Sequence, residues 1–367
     1  MKGTLSLLGL VLSVGMLAFQ MKDAAGHYKV LAPISQGNLT VFPVVSGASF
    51  DTAFFLTLDE GIRSGEVTVT EAGRVSGLVR PRPLMNDGVW RERPYPLPQP
   101  EGAQVNELSL INNSNRPLLL LAGEIVTGGK QDRVVGKDRI IPAHSQPVAL
   151  GVFCVEPHRW TETSDHFRPL SALMAQPSVR AKAMADRNQQ EVWNEVAKSR
   201  EAFIAKLPAA AAAPVQASSS YAGAMQNRNV QAAVDTVAKP LERSYDILIQ
   251  KLRDENAVGA VVAVDGEIIW ADVFASSDLL SRFWPKLIRS YAAESLGSPL
   301  SVGFLHPPTP QAAQAFLDRL GATHESVETE PGLYRQTEIS GDDYTAFVLT
   351  SLLPGTGFNV HLAKMKR

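Results

Sequence analysis

The densest group of polar residues in an apolar setting lies between residues 123 and 160 of this 367-residue chain. Glu124 ends an alternating apolar run that begins at Leu118, and Glu156 ends another that begins at Leu150. If these strands are buried, each carboxylate needs a partner or takes up a proton. Two carboxylates in such settings suit acid–base chemistry, so we predict that Glu124 and Glu156 are catalytic.

Cationic and amide side chains lie between these two glutamates and just after the second one. A Gly-Gly pair precedes a run of four polar residues, and an arginine follows Glu156 by three positions. Arginine binds phosphate or carboxylate through paired hydrogen bonds, which suits an anionic ligand. The residues that we predict to bind the ligand are Lys130, Gln131, Asp132, Arg133 and Arg159.

A structural interpretation of the same residues stays open at this point. The Gly-Gly pair fits a hairpin turn, and Glu124 and Glu156 can be structural partners of Arg133 and Arg159, since structural ion pairs also perturb titration. Cys154 has apolar neighbours on both sides, which favours a buried small hydrophobe over a nucleophile.

Motifs for several other chemistries are missing from the sequence. The stretch from Gly123 to Lys130 fails as a phosphate loop because Gln131 stands where Ser or Thr is required. The chain has no dinucleotide-binding glycine motif, no nucleophile elbow and no zinc-protease helix motif. The spacing of the histidines fits no standard metal-ligand set. We therefore predict neither a metal site nor a cofactor.

The amino-acid composition excludes some classes of binding partner for this protein. The chain has 35 Lys and Arg against 37 Asp and Glu, a formal net charge of −2, which argues against a general nucleic-acid binder. A hydrophobic fraction of 45% indicates a globular protein. A single cysteine excludes an internal disulfide framework. The predicted partner is a small-molecule ligand, and the sequence indicates no oligomeric state.

The N-terminus has the pattern of a targeting segment. Met1 and Lys2 precede an apolar run from Leu5 to Phe19, which has the length of a signal-peptide core and is short for a membrane span. We predict that residues 1–25 are a signal peptide and that the protein is exported, either periplasmic or secreted. An uncleaved N-terminal anchor, the only predicted membrane contact, is the alternative.

The elements that must position these side chains form an α+β fold. Residues 28–165 read as short strands and turns, a β-rich, sandwich-like domain that carries the polar motif. Apolar residues at helical spacing predict a helix over 178–206, and the Ala/Ser/Pro composition of 207–228 predicts a flexible linker. Strands and helices cluster instead of alternating, which disfavours a parallel doubly wound sheet.

The carboxy half, residues 229–367, is predicted as a mixed α/β region packed on the first domain. Two hydrophobic runs flank Asp265-Gly266, the strongest hairpin signal in the chain because a type I′ turn requires positive φ at both positions. A second antiparallel pair is predicted around Gly341-Asp342.

The string from Leu121 to Arg133, together with Phe153-Cys-Val-Glu156 and Arg159-Trp160, resembles the uncharacterised ARG and rhodanese-phosphatase-superfamily-associated protein domain family. The stretches 258–262 and 284–294 are similar to the second block of that family, so the resemblance covers roughly residues 30 to 300. ARG stands for ADP-ribosylglycohydrolase. The resemblance implies a link to ADP-ribose or related nucleotide-sugar chemistry, and it brings no catalytic residues with it.

Two hypotheses of function follow. The first is an exported hydrolase of a nucleotide-sugar or phosphorylated ligand, with Glu124 and Glu156 as acid and base. The second is a non-catalytic envelope module that binds a ligand or partner, in which the same polar residues form a rigid structural cluster.

Overall fold

The structure is a computed structural model. It describes residues 28–72, 84–86, 89–91, 106–157, 159, 161–251, 256–297 and 308–367. The predicted signal peptide, residues 1–25, lies outside the described residues.

The strands are numbered in chain order. They are β1 Tyr28–Val30, β2 Ile34–Gln36, β3 Leu39–Ser46, β4 Leu56–Thr57, β5 Val67–Glu71, β6 Leu84–Asn86, β7 Val89–Arg91, β8 Glu107–Asn112, β9 Leu118–Leu120, β10 Glu124–Thr127, β11 Arg133–Val135, β12 Arg139–Ile141, β13 Val148–Cys154, β14 Arg168–Met174, β15 Asn256–Val264, β16 Glu267–Phe274, β17 His324–Glu330, β18 Tyr334–Ser340, β19 Tyr344–Ser351 and β20 Asn359–Lys366.

The helices are numbered in the same way. They are α1 Leu58–Ser64, α2 Pro177–Ala181, α3 Gln189–Lys206, α4 Ala209–Gln216, α5 Tyr221–Gln226, α6 Arg228–Lys251, α7 Ser277–Gly297 and α8 Pro310–Asp318, with a π-helical turn at Lys182–Asp186 between α2 and α3. Helices and antiparallel strands in similar amounts, with a β-rich amino half, confirm the α+β class.

The chain divides into two compact units. Unit 1 comprises Met1–Ala53 and Arg228–Arg367, and unit 2 is Phe54–Asn227. This division differs from the predicted domain 28–165, because β3 pairs along its whole length with β15, more than 200 residues later. Such a long-range pairing leaves no mark on the local sequence pattern, which shows only that β3 is apolar.

Unit 1 is built on one large antiparallel sheet. Among the described residues the strand order is β1-β3-β15-β16-β20-β19-β18-β17, with β2 also paired to β3. Asp265 and Gly266 have φ of +50° and +81° between β15 and β16, and the predicted hairpin is confirmed there. Helices α6 and α7 pack together, and α7 also contacts β15.

Unit 2 contains the sheet that carries the polar motif. Its strand order is β14-β10-β11-β13-β8-β5, and a smaller sheet has the order β12-β9-β4. Strand β8 alternates between buried and half-buried residues, and the inward side chains of these strands form one apolar core. One face of the sheet packs on this core. The β10–β11 turn lies at the end of the two strands that it connects.

Helices follow the sheet of unit 2, with boundaries that differ from the prediction. The predicted helix over 178–206 is interrupted, because Arg187 takes a left-handed φ of +49° and Asn188 caps a new helix, α3. The predicted linker 207–228 contains α4 and α5. Ser220 caps α5 by accepting a hydrogen bond from the Gly223 N–H, a local interaction that outweighs the low-complexity composition.

No helix within the described part of the chain combines the length and the apolar character that crossing a membrane would require.

Candidate functional site

The turn between β10 and β11 is shaped by its two glycines. Gly128 and Gly129 have φ of +126° and +50°, a region that other residues rarely adopt. A Cβ on Gly129 would lie 2.3 Å from Phe167 Cζ and 2.5 Å from Glu71 Oε1. The Gly128 N–H donates to Asp132 Oδ1 over 3.1 Å, which closes the turn. Only glycine at position 129 lets the turn pack this closely.

Three of the predicted site residues meet beyond this turn. Arg159 Nη2 lies 2.6 Å from Glu156 Oε2 and 3.3 Å from Asp132 Oδ1. Glu156 Oε2 also accepts the Asp132 N–H at 3.2 Å. Both carboxylate side chains are 11% exposed and the Arg159 side chain is 20% exposed, so the cluster lies just below the surface. These charges serve as one another's partners.

Arg159 also holds the loop of residues 161–168. Its Nη1 donates to the carbonyls of Gly129 at 3.0 Å and Thr161 at 2.8 Å. The Thr163 N–H donates to the same Gly129 carbonyl, and the Gly129 N–H donates to Ser164 Oγ. The two Nη atoms of the guanidinium therefore tie the β10–β11 turn to this loop.

Asp132 has the clearest electrostatic perturbation in this cluster. Burial raises the pKa of its carboxyl, and the neighbouring Glu156 raises that pKa further. Hydrogen bonds from the Gly128 N–H and from Ser220 Oγ, at 2.9 Å, act in the opposite direction, as does Arg159. Ser220 belongs to the segment predicted as a linker. No pattern in the sequence connects it to Asp132.

Arg133 points to a different environment, together with Gln131. The Arg133 side chain is fully buried, and its Nη1 donates to Gln131 Oε1 at 3.4 Å. Its Nη2 lies 4.0 Å from Glu71 Oε2. Gln131 Nε2 donates to the Glu156 carbonyl at 3.1 Å, which connects Arg133 to the Arg159 cluster.

Glu71 is a site residue that the sequence analysis missed. Its Oε1 accepts the Lys130 N–H at 2.6 Å, while the Lys130 side chain is half-buried. The signal was present, because Glu71 follows Val67 and Val69 at every second position, the same pattern that identified Glu124 and Glu156. Glu71 precedes Lys130 by 59 residues, so the contact between them could not be predicted from neighbouring residues.

Cys154 lies across from Arg133 in the β11–β13 pair. It is a free, buried cysteine, and burial raises the pKa of its thiol to about 11. Burial also disfavours the charged form of Arg133, which lowers the pKa of its guanidinium. A thiol held in its protonated form at neutral pH is a poor nucleophile, so Cys154 acts as a small buried side chain.

Glu124 is held apart from the Glu156 cluster. It is 2% exposed, and its Oε2 accepts the Leu121 N–H at 2.9 Å. The Arg180 side chain packs against the preceding Gly123, where a Cβ would lie 2.6 Å from Arg180 Cγ. The strand pairing puts Glu124 three residues from the position opposite Asp132, about 10 Å along the strand. The two predicted catalytic carboxylates thus have separate sets of partners.

A cleft opens beside the loop that Arg159 holds. Its volume is about 490 Å³, and its lining residues are Ile62, Arg63, Val67, Thr68, Val69, His166, Phe167, Arg168 and Pro169. Arg63, His166 and Arg168 are exposed, and no carboxylate belongs to the lining. No hydrogen bond or ion pair joins these three side chains to another described residue.

The cleft and the polar cluster share the loop of residues 161–168. The Phe167 N–H donates to the Val69 carbonyl at 2.9 Å, and the Phe167 ring covers Gly129. Ser164 Oγ donates to the His166 carbonyl at 2.8 Å while accepting the Gly129 N–H. The cluster thereby positions the backbone from which His166 and Arg168 extend. No group of three or more His, Cys, Asp or Glu residues able to hold a metal occurs in the described part of the chain.

Comparison with known proteins gives one match. The sequence profile of a family described as the ARG and Rhodanese-Phosphatase-superfamily-associated Protein domain matches residues 27–364. No curated protein and no solved structure matches the chain. The profile covers most of the sequence and confirms the family that the motifs indicate.

Proposed function

We propose that this chain, which belongs to the ARG and Rhodanese-Phosphatase-superfamily-associated Protein domain family, is a binding module for a phosphorylated small molecule. The ligand occupies the cleft of unit 2. The observation that carries the proposal is the lining of that cleft, which combines three cationic or protonatable side chains with apolar residues and contains no carboxylate.

The charges around the cleft favour an anion. Arg63 lies in the last turn of α1, and Arg168 is the first residue of β14. Two guanidinium groups give paired hydrogen bonds to phosphate oxygens, and His166 adds a third donor. The volume of about 490 Å³ lies within the range of about 300–1,000 Å³ that is usual for small-ligand sites.

The polar cluster of Asp132, Glu156 and Arg159 supports the cleft in this proposal. Both Nη atoms of Arg159 already contact carboxylates and carbonyls of the protein, so they are not offered to a ligand. The role of Arg159 is to fix the loop that carries His166 and Arg168. A rigid loop lowers the entropy cost of ligand binding because the charged side chains are already positioned.

The family name suggests the first ligand to test. It associates this domain with ADP-ribosylglycohydrolases, enzymes of ADP-ribose chemistry. ADP-ribose carries two linked phosphates between two ribose rings. The two arginines suit the phosphates, and the half-buried Ile62 and Pro169 offer apolar surface to a ring.

Hydrolysis of the same ligand is a second candidate function, and one observation favours it. The raised pKa of Asp132 beside Glu156 resembles the unequal carboxyl pairs that act as acid and base in hydrolases. The catalytic pair would then be Asp132 and Glu156, without Glu124. Conversion of ADP-ribose to AMP and ribose 5-phosphate by addition of water across its phosphoanhydride, abolished in Glu156→Gln, would favour this function over simple binding.

Export also belongs to the proposal, on the strength of the sequence of residues 1–25. Fractionation of cells that express the full chain, with mass determination of the mature N-terminus, tests it. Recovery of the uncleaved protein in the soluble intracellular fraction would contradict export.

Calorimetric titration with ADP-ribose and with inorganic pyrophosphate tests ligand binding. We expect Arg63→Gln and Arg168→Gln each to weaken binding by about tenfold, since each removes a charged hydrogen bond. Arg243→Gln, at an exposed arginine of α6, is the matched control and should bind as the wild type does. Absence of binding to both ligands, or equal losses in all three variants, would overturn the proposal.

A further inference from the structure

One edge of the buried Arg133 guanidinium has no hydrogen-bond partner in the described part of the chain. Its Nη1 donates to Gln131 Oε1 at 3.4 Å, whereas Nε and Nη2 donate to no described residue. These two nitrogens lie on the same edge of the guanidinium, and their parallel N–H bonds are the ones that hold ligand oxygens. Since an unpaired buried donor is costly, this edge of Arg133 is suited to an acceptor from outside the protein.

Glu71 supplies an acceptor next to this edge. Its Oε1 accepts the Lys130 N–H, but no described residue donates a hydrogen bond to its Oε2. Oε2 lies 4.0 Å from Arg133 Nη2, which is too long for a direct hydrogen bond. Across this separation a single oxygen can lie about 2.8 Å from both atoms. The pair therefore fits one shared oxygen that accepts from Arg133 and donates to Glu71.

A hydroxyl group has the chemistry that this position requires. It donates one hydrogen bond and accepts others, so it can satisfy the carboxylate and the guanidinium together. An ionised phosphate oxygen can only accept, and the Glu71 carboxylate would repel it. The Glu71–Arg133 pair thus differs from the cleft, whose lining contains arginines and no carboxylate.

Phe167 lies between the cleft and this pair. It belongs to the cleft lining, and a Cβ on Gly129 would lie 2.3 Å from Phe167 Cζ and 2.5 Å from Glu71 Oε1, so the ring edge and the carboxylate are neighbours. The Phe167 N–H is bound to the Val69 carbonyl, and a change of χ1 rotamer moves the ring without breaking this bond. Because Glu71 and Arg133 are buried, a ligand reaches them only when the ring moves.

We propose that Glu71 and Arg133 form a subsite for a hydroxyl group, which the ligand of the cleft reaches when the Phe167 ring turns aside. The inference rests on the proposed function, since the cationic lining of the cleft binds the phosphate. A ligand that carries a phosphate and a hydroxyl a few bonds apart is a phosphorylated sugar. The class of ligand is thereby narrowed from phosphorylated small molecules to sugar phosphates.

Two phosphates with the same number of carbons test the subsite on the full chain. Ribose 5-phosphate carries hydroxyl groups, whereas n-pentyl phosphate has five carbons and one phosphate without them. We expect calorimetric titration to show at least about tenfold tighter binding of ribose 5-phosphate, because only its hydroxyls can pair with Glu71 and Arg133. Equal binding of the two compounds, or tighter binding of pentyl phosphate, would overturn the subsite.

Inorganic pyrophosphate and ADP-ribose separate this outcome from failure of the proposed function. Both report the cationic lining of the cleft. Absence of binding by both would overturn the proposed function and the subsite together. Binding of either one, with no preference for ribose 5-phosphate over pentyl phosphate, would overturn the subsite alone.

Glu71→Gln provides the second measurement. The amide loses the charge and one of the two acceptor oxygens, so the preference for ribose 5-phosphate over pentyl phosphate should fall by about tenfold. This preference is a ratio within one variant, so it does not depend on how much of the variant is folded. Glu201→Gln, at an exposed glutamate of α3, is the matched control and should keep the preference. A preference that persists in Glu71→Gln, or falls equally in both variants, would overturn the assignment.

Nitrogen NMR of the wild type gives a reading without any substitution. The Arg133 Nε–H resonance should shift with ribose 5-phosphate and stay in place with pyrophosphate, because only the sugar reaches the guanidinium. An Arg133 resonance that ribose 5-phosphate leaves unchanged at saturation would show that the hydroxyls bind elsewhere and would overturn the subsite.

Discussion

The Arg159 guanidinium lies 2.6 Å from the Glu156 carboxylate, three residues earlier in the chain. The same guanidinium reaches Asp132 and two backbone carbonyls from different turns. One side chain therefore connects the β10–β11 turn, the end of β13 and the loop of residues 161–168. We therefore expect both the stability of unit 2 and the shape of the cleft to depend on this connection.

Removal of the Arg159 charge should destabilise unit 2. Arg159→Gln leaves two nearly buried carboxylates without their cation, and we expect a loss of about 2–4 kcal/mol in the free energy of unfolding. Arg159→Lys should lose less, since an ammonium keeps the charge without the planar set of donors. Urea denaturation followed by fluorescence measures both changes.

The same substitution should affect ligand binding indirectly. Arg159 is absent from the cleft lining, so weaker ADP-ribose binding in the folded Arg159→Lys variant would show that it positions the loop. Wild-type stability in Arg159→Gln would contradict the structural role of the cluster.

Gly129→Ala should be far more damaging than an ordinary glycine substitution. The new Cβ would overlap Phe167 and Glu71 and would require a left-handed φ. We expect a loss of about 3 kcal/mol or more in the free energy of unfolding. Gly65→Ala is the matched control, since Gly65 has φ of +75° with no atom within 4 Å of its Cβ position.

The control separates backbone strain from overlap. Gly65→Ala should cost about 1 kcal/mol, the ordinary penalty of a left-handed residue. Thermal and urea unfolding of the two variants measure the difference. Equal losses would mean that the space around Gly129 relaxes easily and that the close packing of the turn contributes little.

Local signals in the sequence predicted the local parts of this structure. The Asp265-Gly266 hairpin needs only two residues with positive φ between apolar runs, and it is confirmed. The meeting of Glu156 with Arg159 follows from a spacing of three residues. These features depend on a few neighbouring residues, so a short stretch of sequence is enough to predict each of them.

Long-range features could not be read from the sequence in the same way. The pairing of β3 with β15 and the bond from Ser220 to Asp132 join residues far apart in the chain. The cleft combines Arg63 with His166 and Arg168 from another element, and no motif marks them. Burial of each segment was predictable, whereas the identity of its partner depends on how the whole chain packs.

Lys364 should make the stability of unit 1 depend on pH above neutrality. Its side chain is buried beneath α8, where Nζ donates to the carbonyls of Phe316 and Arg319 and lies 4.0 Å from the Tyr344 ring centre. Burial lowers the pKa of Lys364 from 10.5 to about 7. Between these two values the unfolded chain binds more protons than the folded protein, so the free energy of unfolding contributed by Lys364 rises with pH.

The variant Lys364→Met removes this titration. The stability of the wild type relative to Lys364→Met should increase from about pH 7 to about pH 10, as measured by urea unfolding at successive pH values. Lys366→Met, two residues later and exposed, is the control. A difference between the wild type and Lys364→Met that stays constant over this range would show that Lys364 keeps its proton in the folded protein.

Asp132 should produce the opposite dependence in acidic solution. Its folded pKa lies above the ordinary value of 3.8, mainly because of burial and then because of Glu156. The folded protein therefore binds more protons than the unfolded chain between those two values. The stability contributed by Asp132 is complete below pH 3.8 and is lost as the pH rises through the raised pKa.

Asp132→Asn removes this titration and keeps an oxygen that can accept from the Gly128 N–H. The stability of the wild type relative to Asp132→Asn should therefore fall as the pH rises from 3.8 through the raised pKa of Asp132. Asp342→Asn, at an exposed aspartate of unit 1, is the matched control for loss of a carboxylate. If the stability of the wild type relative to Asp132→Asn instead increases as the pH rises, the interactions of Asp132 with Arg159 and Ser220 outweigh its burial. Asp132 would then be an ordinary ion-pair partner, and the one observation that favours hydrolysis would be lost.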